Sequence, residues 1–441
     1  MNAENSSRKI LVLGASGLIG CFITRDLRVR GFPVVGVARK LAASQKTGAL
    51  DLELPLMSME TDALTKLFRD HRIDVVVNCL GVLQDGPGSD TAAVHRDFVT
   101  RLLDAIRDSR RAIRLVHVSI PGSTDTDQTA FSATKREGER LIAESGVAYT
   151  ILRPGFVVAL AAYGGSAMVR SLAAYPFDLP DDEQVTPFQP VAMEDIAATI
   201  AWLAARDLTE ANGETWDLMQ EEPVTLGGVV DHFRHALGTR EWPRIAMPAF
   251  LLDTGAKLGD FANLLGWMPP MRTTAMAELR RGVRGNPAGW IRATGITPTT
   301  IAEISAQRPA TIQEKWFARL FPVKALIIAS LVLFWVVSGF IALVISYDAA
   351  ADMLRSRNFP PALVGPITVG TSLMDMSIGL LIAFRRTAAF GLMAGIIASL
   401  GYMAGAAILT PDLWIEPLGA LVKTGPAIVL MIVAFLTLDN R

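Results

Sequence analysis

The chain has 441 residues, a formal net charge of −1 and two cysteines, and its mean hydropathy is +0.34. That length allows about two or three domains, and the charge balance excludes a nucleic-acid footprint. Cys21 and Cys79 stand far apart with no CxxC, which excludes a disulfide framework and a cysteine zinc site.

The chain changes character near residue 320: before it the sequence reads as soluble protein, after it the sequence is mostly apolar. The polar start, MNAENSSRK, leads into only four apolar residues, too few for a secretory signal. The N-terminal part is therefore expected in the cytoplasm. The stretch KILVLGASGLIGCFITRDLRVRGFPVVGVAR then reads as strand, glycine turn, helix and strand. Gly14, Gly17 and Gly20 give the turn the spacing GxxGxxG, with Ser16, Leu18 and Ile19 among them. The first glycine permits a tight turn, the second lets backbone amides approach a pyrophosphate, and the third lets helix pack on strand. The helix N-terminus adds partial positive charge. These six residues form the expected phosphate cradle of a nicotinamide dinucleotide. At the end of the second strand, where an acid would suit the ribose of NAD, stand Arg39 and Lys40. A guanidinium suits a 2′-phosphate, so NADP(H) is expected rather than NAD(H).

Further strands are predicted at 74–82, 114–120 and 149–155, ending in Gly81, Ser119 and Arg153-Pro154-Gly155. Helical runs at 61–71, 91–109 and 132–145 separate them. This alternation predicts an α/β fold, a doubly wound parallel Rossmann sheet, with its ligand at the carboxyl ends of the strands. In FSATK, Phe131 lies four residues before Lys135, on one helix face. The pair His232 and His235 has helical spacing but no third ligand nearby, so no metal site is expected.

The ordered set GASGLIG, NCLGVLQ, HVS, FxxxK, LRPG and FQPVAMEDIA, from about residue 8 to 240, resembles the short-chain dehydrogenase/reductase superfamily. Its atypical branch is most similar: the NmrA-like proteins and the NADPH-binding 39 kDa accessory subunit of respiratory complex I. The resemblance implies that Gly14, Gly17 and Gly20 hold the pyrophosphate, Asp51 approaches the adenine, Gly81 lines the adenosine side and Lys135 bonds the nicotinamide ribose. It also implies cofactor contacts for Arg153 and Pro154. Catalytic members use a serine, a tyrosine and a lysine. Ser119 and Lys135 match, whereas Phe131 occupies the tyrosine position and has no proton to give. General acid–base catalysis contributes about 10²–10⁴-fold. Tyr163, after the RPG loop, is the candidate replacement donor.

Residues 1–240 are thus expected to form the nucleotide-binding domain, 241–320 a helical extension and linker, and 321–441 a membrane domain. Apolar runs at 323–345, 361–384, 387–409 and 418–438 are each long enough to cross a bilayer, which predicts an all-α domain of four transmembrane helices. Lys315, Arg319 and Lys324 precede the first run, and Arg385-Arg386 lie between the second and third. Asp412 and Glu416 follow the third. By the positive-inside rule the nucleotide domain and the 385–386 turn face the cytoplasm, with the helices in the inner (cell) membrane. Asp375 and Lys423 lie inside spans, where charges are costly; they are candidates either to pair across the second and fourth helices or to line a proton or ligand route. Residues 312–441, with Trp335, Ser338-Gly339 and DLWIEPLG at 412–419, resemble DoxX-like four-helix domains, some of whose relatives accompany quinol-handling oxidases. That resemblance implies a respiratory or quinone-linked membrane partner.

Three functions are compatible with these features. One is a membrane-anchored NADP(H)-dependent oxidoreductase with an altered site. Another is a non-catalytic redox sensor or accessory protein. The third, a transporter, rests on Asp375 and Lys423 alone.

Overall fold

Three runs of continuous apolar residues, ILVL, VVGVA and VVVN, are buried along their whole length. Such runs belong in a parallel sheet covered on both faces. The computed structural model describes residues 8–42, 45–46, 50–86, 88–240, 242–307, 310–415 and 419–439. In it the strands β1 (Ile10–Leu13), β2 (Val34–Ala38), β3 (Leu52–Glu53), β4 (Val75–Asn78), β5 (Arg114–Val118) and β6 (Ala148–Pro154) join one sheet with the strand Glu214–Leu218. The order is Glu214–Leu218, β6, β5, β4, β1, β2, β3, and every pairing is parallel.

Alternation along β1 divides the core into two layers. Ile10 and Val12 pack with Ile23 and Leu27 of α1 (Leu18–Val29) and with Ile196 and Ile200. Leu11 and Leu13 face the other way, onto Leu64 and Phe68 of α2 (Thr61–Asp70) and Val99 and Leu102 of α3 (Phe98–Asp108). α4 (Ala130–Ala143) starts at Thr129, whose side chain accepts from the Ser132 amide while Ser132 answers it in a capping box. It begins two residues before the predicted 132–145 run.

The chain forms two compact units, Met1–Asp260 with Pro269–Ala318, and Phe261–Met268 with Arg319–Arg441. Part of the expected extension belongs to the first. Trp290 is fully buried in the core beneath the sheet, and its Nε1 donates to Thr199 Oγ1 at 2.9 Å. Thr299 likewise binds Asp195 through its amide and its hydroxyl. A lone tryptophan far along the chain gave no such signal in the sequence.

The second unit is helical. Ile312–Ile345, Pro361–Ala383 and Ala388–Leu409 are long and apolar enough to cross a membrane. The fourth expected span forms a shorter helix, Ala420–Leu436, of 17 residues with Pro426 inside it, at the lower end of the range of about 17–25 residues for a span. Asp375 does not pair with Lys423. Its Oδ1 accepts from Tyr402 Oη at 2.7 Å, and Lys423 is exposed. The neighbour in the hairpin, Ala388–Leu409, supplies a neutral donor that needs no second buried charge. Glu416, Pro417 and Leu418 of the expected DLWIEPLG feature lie outside the described residues, as do residues 1–7 of the polar start.

The glycine turn after β1 is one of the tight points of the first unit. Gly14 has φ +84°, and a Cβ on Gly20 would stand 2.2 Å from the Gly14 carbonyl oxygen. Gly20→Ala must therefore push α1 off β1, and a loss of about 1–3 kcal/mol is expected in thermal or denaturant unfolding of the full chain. Gly17→Ala, with its methyl 3.3 Å from the same oxygen, is expected to cost less in the same measurement.

Candidate functional site

Five sequence-predicted features meet where the carboxyl ends of β1, β2, β4, β5 and β6 come together. α1 opens on Gly17, extended at φ −75° and ψ 169°, with no side-chain cap and no acid in its first turn. The first amides of a helix have no partner within it, so this end is open to an anion near Ser16, Leu18 and Ile19. Arg39 and Lys40 are exposed just beyond β2. Asp51 is engaged otherwise than expected: its carboxylate takes the Arg28 guanidinium at 2.5 and 3.1 Å, with its side chain 3% exposed. The same carboxylate stands where a Cβ on Gly36 would fall.

Lys135 of α4 is buried. Its Nζ donates to Val118 O at 3.0 Å and Leu80 O at 3.3 Å, at the ends of β5 and β4. Burial pushes its pKa down to about 8, against the pull of Glu139 and Cys79. The Cys79 thiol is driven up to about 12 by burial, with Lys135 opposing. Gly81 borders this point, for a Cβ there would lie 3.6 Å from Lys135 Nζ and 3.8 Å from His95 Nε2.

His95 is the residue that pattern reasoning missed. It is buried and meets Phe131 edge-on, with ring centroids 5.6 Å apart. Burial first, then the charge on Lys135, hold its pKa near 2, so the ring is neutral. Its Nε2 accepts from the Val82 amide at 3.2 Å. That bond assigns the proton to Nδ1, which donates to Thr134 Oγ1 at 2.9 Å. Thr134 in turn donates to Ala130 O at 2.7 Å. Both nitrogens are thus spent on holding the loop after β4 against α4. A histidine inside a helical run carries no spacing that would have revealed this.

Ser119 is buried, and its Oγ has no hydrogen-bond partner of acceptable geometry. It nevertheless lies close enough to Glu139 to help keep that carboxylate ionised. Burial opposes ionisation of Glu139 and is outweighed by Arg153, with Arg136 behind it. Arg153 therefore points into the protein's own ion network: its Nε and Nη2 reach the two Glu139 oxygens at 2.9 and 2.6 Å. Arg136 bridges Glu139 to Asp127 at 3.0 and 2.9 Å, and Arg281 joins Asp127 at 3.1 Å. Pro154 is buried beside it at the end of β6. Tyr163 stands apart in the turn before the helix Gly165–Ala173, 43% exposed, with its amide on Ser166 Oγ. A cleft of about 610 Å³ opens at Asp125, Thr126, Gln128, Lys257, Thr273 and Arg281, against the residues that lead into α4.

Comparison with known proteins places this arrangement within two family matches. Residues 10–212 match the NAD dependent epimerase/dehydratase family. Residues 332–432 match the DoxX-like family. A 3-diazoavenalumate denitrifying reductase of a Streptomyces species is 28% identical over 313 residues, 64% of this chain and 95% of that protein. The fold is shared with UDP-glucose 4-epimerase of Thermotoga maritima, at 14% identity and a TM-score of 0.51, over 68% of this chain and 97% of that one. It is shared with dTDP-glucose 4,6-dehydratase of Bacillus anthracis, solved with NAD, at 12% identity and a TM-score of 0.52, over 70% and 96%. The Bordetella bronchiseptica enzyme WbmH, solved with NAD+, gives 14% identity and a TM-score of 0.52, over 71% and 98%. The chain therefore combines a Rossmann domain that matches the NAD dependent epimerase/dehydratase family with a helical domain that matches the DoxX-like family.

Within that epimerase/dehydratase domain the state of Lys135 has a measurable consequence. Below about pH 8 the ammonium is charged in the folded and unfolded chain alike, and its burial penalty is present in full. Between about 8 and the ordinary 10.5 the unfolded chain binds the proton and the folded chain has released it, so stability rises with pH. Relative to Lys135→Met, the native chain is expected to gain stability across that window, by at most about 1.4 kcal/mol per pH unit. Denaturant titrations of both chains at several pH values would read the slope, and parallel curves would contradict it.

Proposed function

We propose that this protein is a membrane-held NADP(H)-dependent reductase that works without a tyrosine acid. The observation that carries it is the buried Lys135 ammonium, held on the Leu80 and Val118 carbonyls one helical turn beyond Phe131. A lysine desolvated to this degree needs a purpose, and the ribose of a nicotinamide nucleotide supplies one. The residues fit that cofactor: the uncapped N-terminus of α1 suits a pyrophosphate at Gly14, Ser16, Gly17, Leu18, Ile19 and Gly20. Gly81 leaves the adenosine side without a side chain. Arg39, exposed where an acid would otherwise stand, favours a 2′-phosphate. When bound, the nicotinamide supplies or accepts hydride.

The chain's own residues then bind and orient. Ser119 offers a buried hydroxyl without a partner, suited to hold a polar group of the substrate. Pro154 lines the floor beside it. Arg153 keeps Glu139 charged and Asp51 restrains Arg28, so neither is assigned to the cofactor. His95 and Thr134 are committed to the protein, and Tyr163 lies in an exposed turn. Water or the substrate itself would therefore supply any proton. The kinship with a protein named a denitrifying reductase supports a reductive role. A non-catalytic redox sensor or accessory protein is the second assignment, and Phe131 is what favours it. Arg385, Arg386 and Lys324 at one end of the spans support a cytoplasmic nucleotide domain on the cell membrane.

Calorimetry of the full chain in detergent should give at least about tenfold tighter binding of NADPH than of NADH, and Arg39→Asp should reverse the order. Turnover is the second measurement. Native protein should oxidise NADPH above blank with an acceptor drawn from a carbonyl panel. Phe131→Tyr should raise the rate by about tenfold or more, within the range open to an added general acid. Turnover confined to the tyrosine variant would instead favour the sensor assignment.

A further inference from the structure

The segment Phe261–Met268 lies between two stretches of the nucleotide-binding unit, yet it belongs to the helical membrane unit. Two hydrogen bonds tie it there. Trp267 Nε1 donates to Ala383 O at 2.7 Å, and Leu265 O accepts from the Arg385 amide at 3.0 Å. Ala383 is the last residue of the span Pro361–Ala383, so both bonds fall at a span's end. The Arg385 guanidinium lies over the Trp267 ring, 5.6 Å from its centroid. It also donates to Leu438 O at 2.8 Å, while Lys324 Nζ donates to Asp439 O at 3.3 Å. Arg386 beside it is exposed.

Around this basic end the segment turns apolar side chains outward: Phe261 is 60%, Leu264 69% and Met268 68% exposed. Side chains of this size clustered at the end of a span are stable where one side is hydrocarbon and the other headgroup. Tryptophan and arginine at the same level are the usual anchors of that boundary. We infer that Phe261–Met268 is an interfacial clasp: Phe261, Leu264 and Met268 enter the acyl boundary of the bilayer, and Arg385, Arg386 and Lys324 meet anionic lipid headgroups. The occupant is the lipid surface, because the clasp is continuous with the spans and carries charge opposite to an anionic leaflet.

The test uses the full chain with Cys21 and Cys79 replaced by serine, a polarity-sensitive fluorophore on Leu264→Cys or Phe261→Cys, and Val29→Cys as reference, since Val29 is 81% exposed. Each is reconstituted in phosphatidylcholine vesicles with and without phosphatidylglycerol. Nitroxide lipids labelled near the headgroup are expected to quench the clasp labels at least about threefold more than the reference, and iodide at least about threefold less. Phosphatidylglycerol should strengthen the lipid quenching. Iodide access equal to that at Val29 would overturn the inference. So would shielding from iodide without lipid quenching, which would mean that protein, such as a second copy, covers the segment. Equal quenching in the two lipid mixtures would overturn the anionic headgroup contact. Thermal unfolding of each labelled chain checks that the variants are folded.

Discussion

A buried ammonium hydrogen-bonded to two backbone carbonyls is the constraint around which the candidate site is arranged. Lys135 can occupy its place because β4 and β5 end side by side and present Leu80 O and Val118 O to one point. Carbonyl dipoles offset part of the desolvation cost without cancelling the charge. The lysine therefore remains electrostatically available to whatever binds above it, at the expense of a lowered pKa. Its neighbours respond to the same burial: His95 is held neutral by burial first and then by the Lys135 charge, while Cys79 stays a thiol through burial against the pull of Lys135.

The second constraint is the ion network centred on Glu139, one turn along α4 from Lys135. Arg153, Glu139, Arg136, Asp127 and Arg281 alternate in sign and are mostly buried. Alternation matters because an unpaired charge at such a depth would cost several kcal/mol. The network links β6, α4 and the residue run that leads into α4, and so holds the helix that carries Phe131 and Lys135 in register with Ser119. An acid at the Phe131 position is not needed for any of this. The Phe131 ring packs edge-on against His95 instead.

The membrane unit obeys a different economy. No water competes for buried polar groups there, so a partner within the bundle stabilises them. Asp375 takes Tyr402, and Trp267 takes the last carbonyl of a span. Small residues allow the close packing that makes such pairing reachable: Gly379 and Gly395 both lie against Trp335.

Periodicity and glycine spacing were enough to read the parallel sheet, the strand–glycine turn–helix unit and the apolar helical region from residues alone. Those features are local: a strand's apolar run, a turn's need for Gly14 at positive φ and a span's length each depend on neighbours within the chain. The partners of charged side chains were not legible in the same way. Arg153 and Asp51 lie in ion pairs, Asp375, a candidate partner of Lys423, meets Tyr402, and His95 gave no signal. A charge has several candidate partners at similar sequence cost, and only the packing of distant elements brings one of them within about 3 Å. The same holds for Trp290 and for the clasp at Phe261–Met268, whose places are set by surfaces formed after the local elements exist.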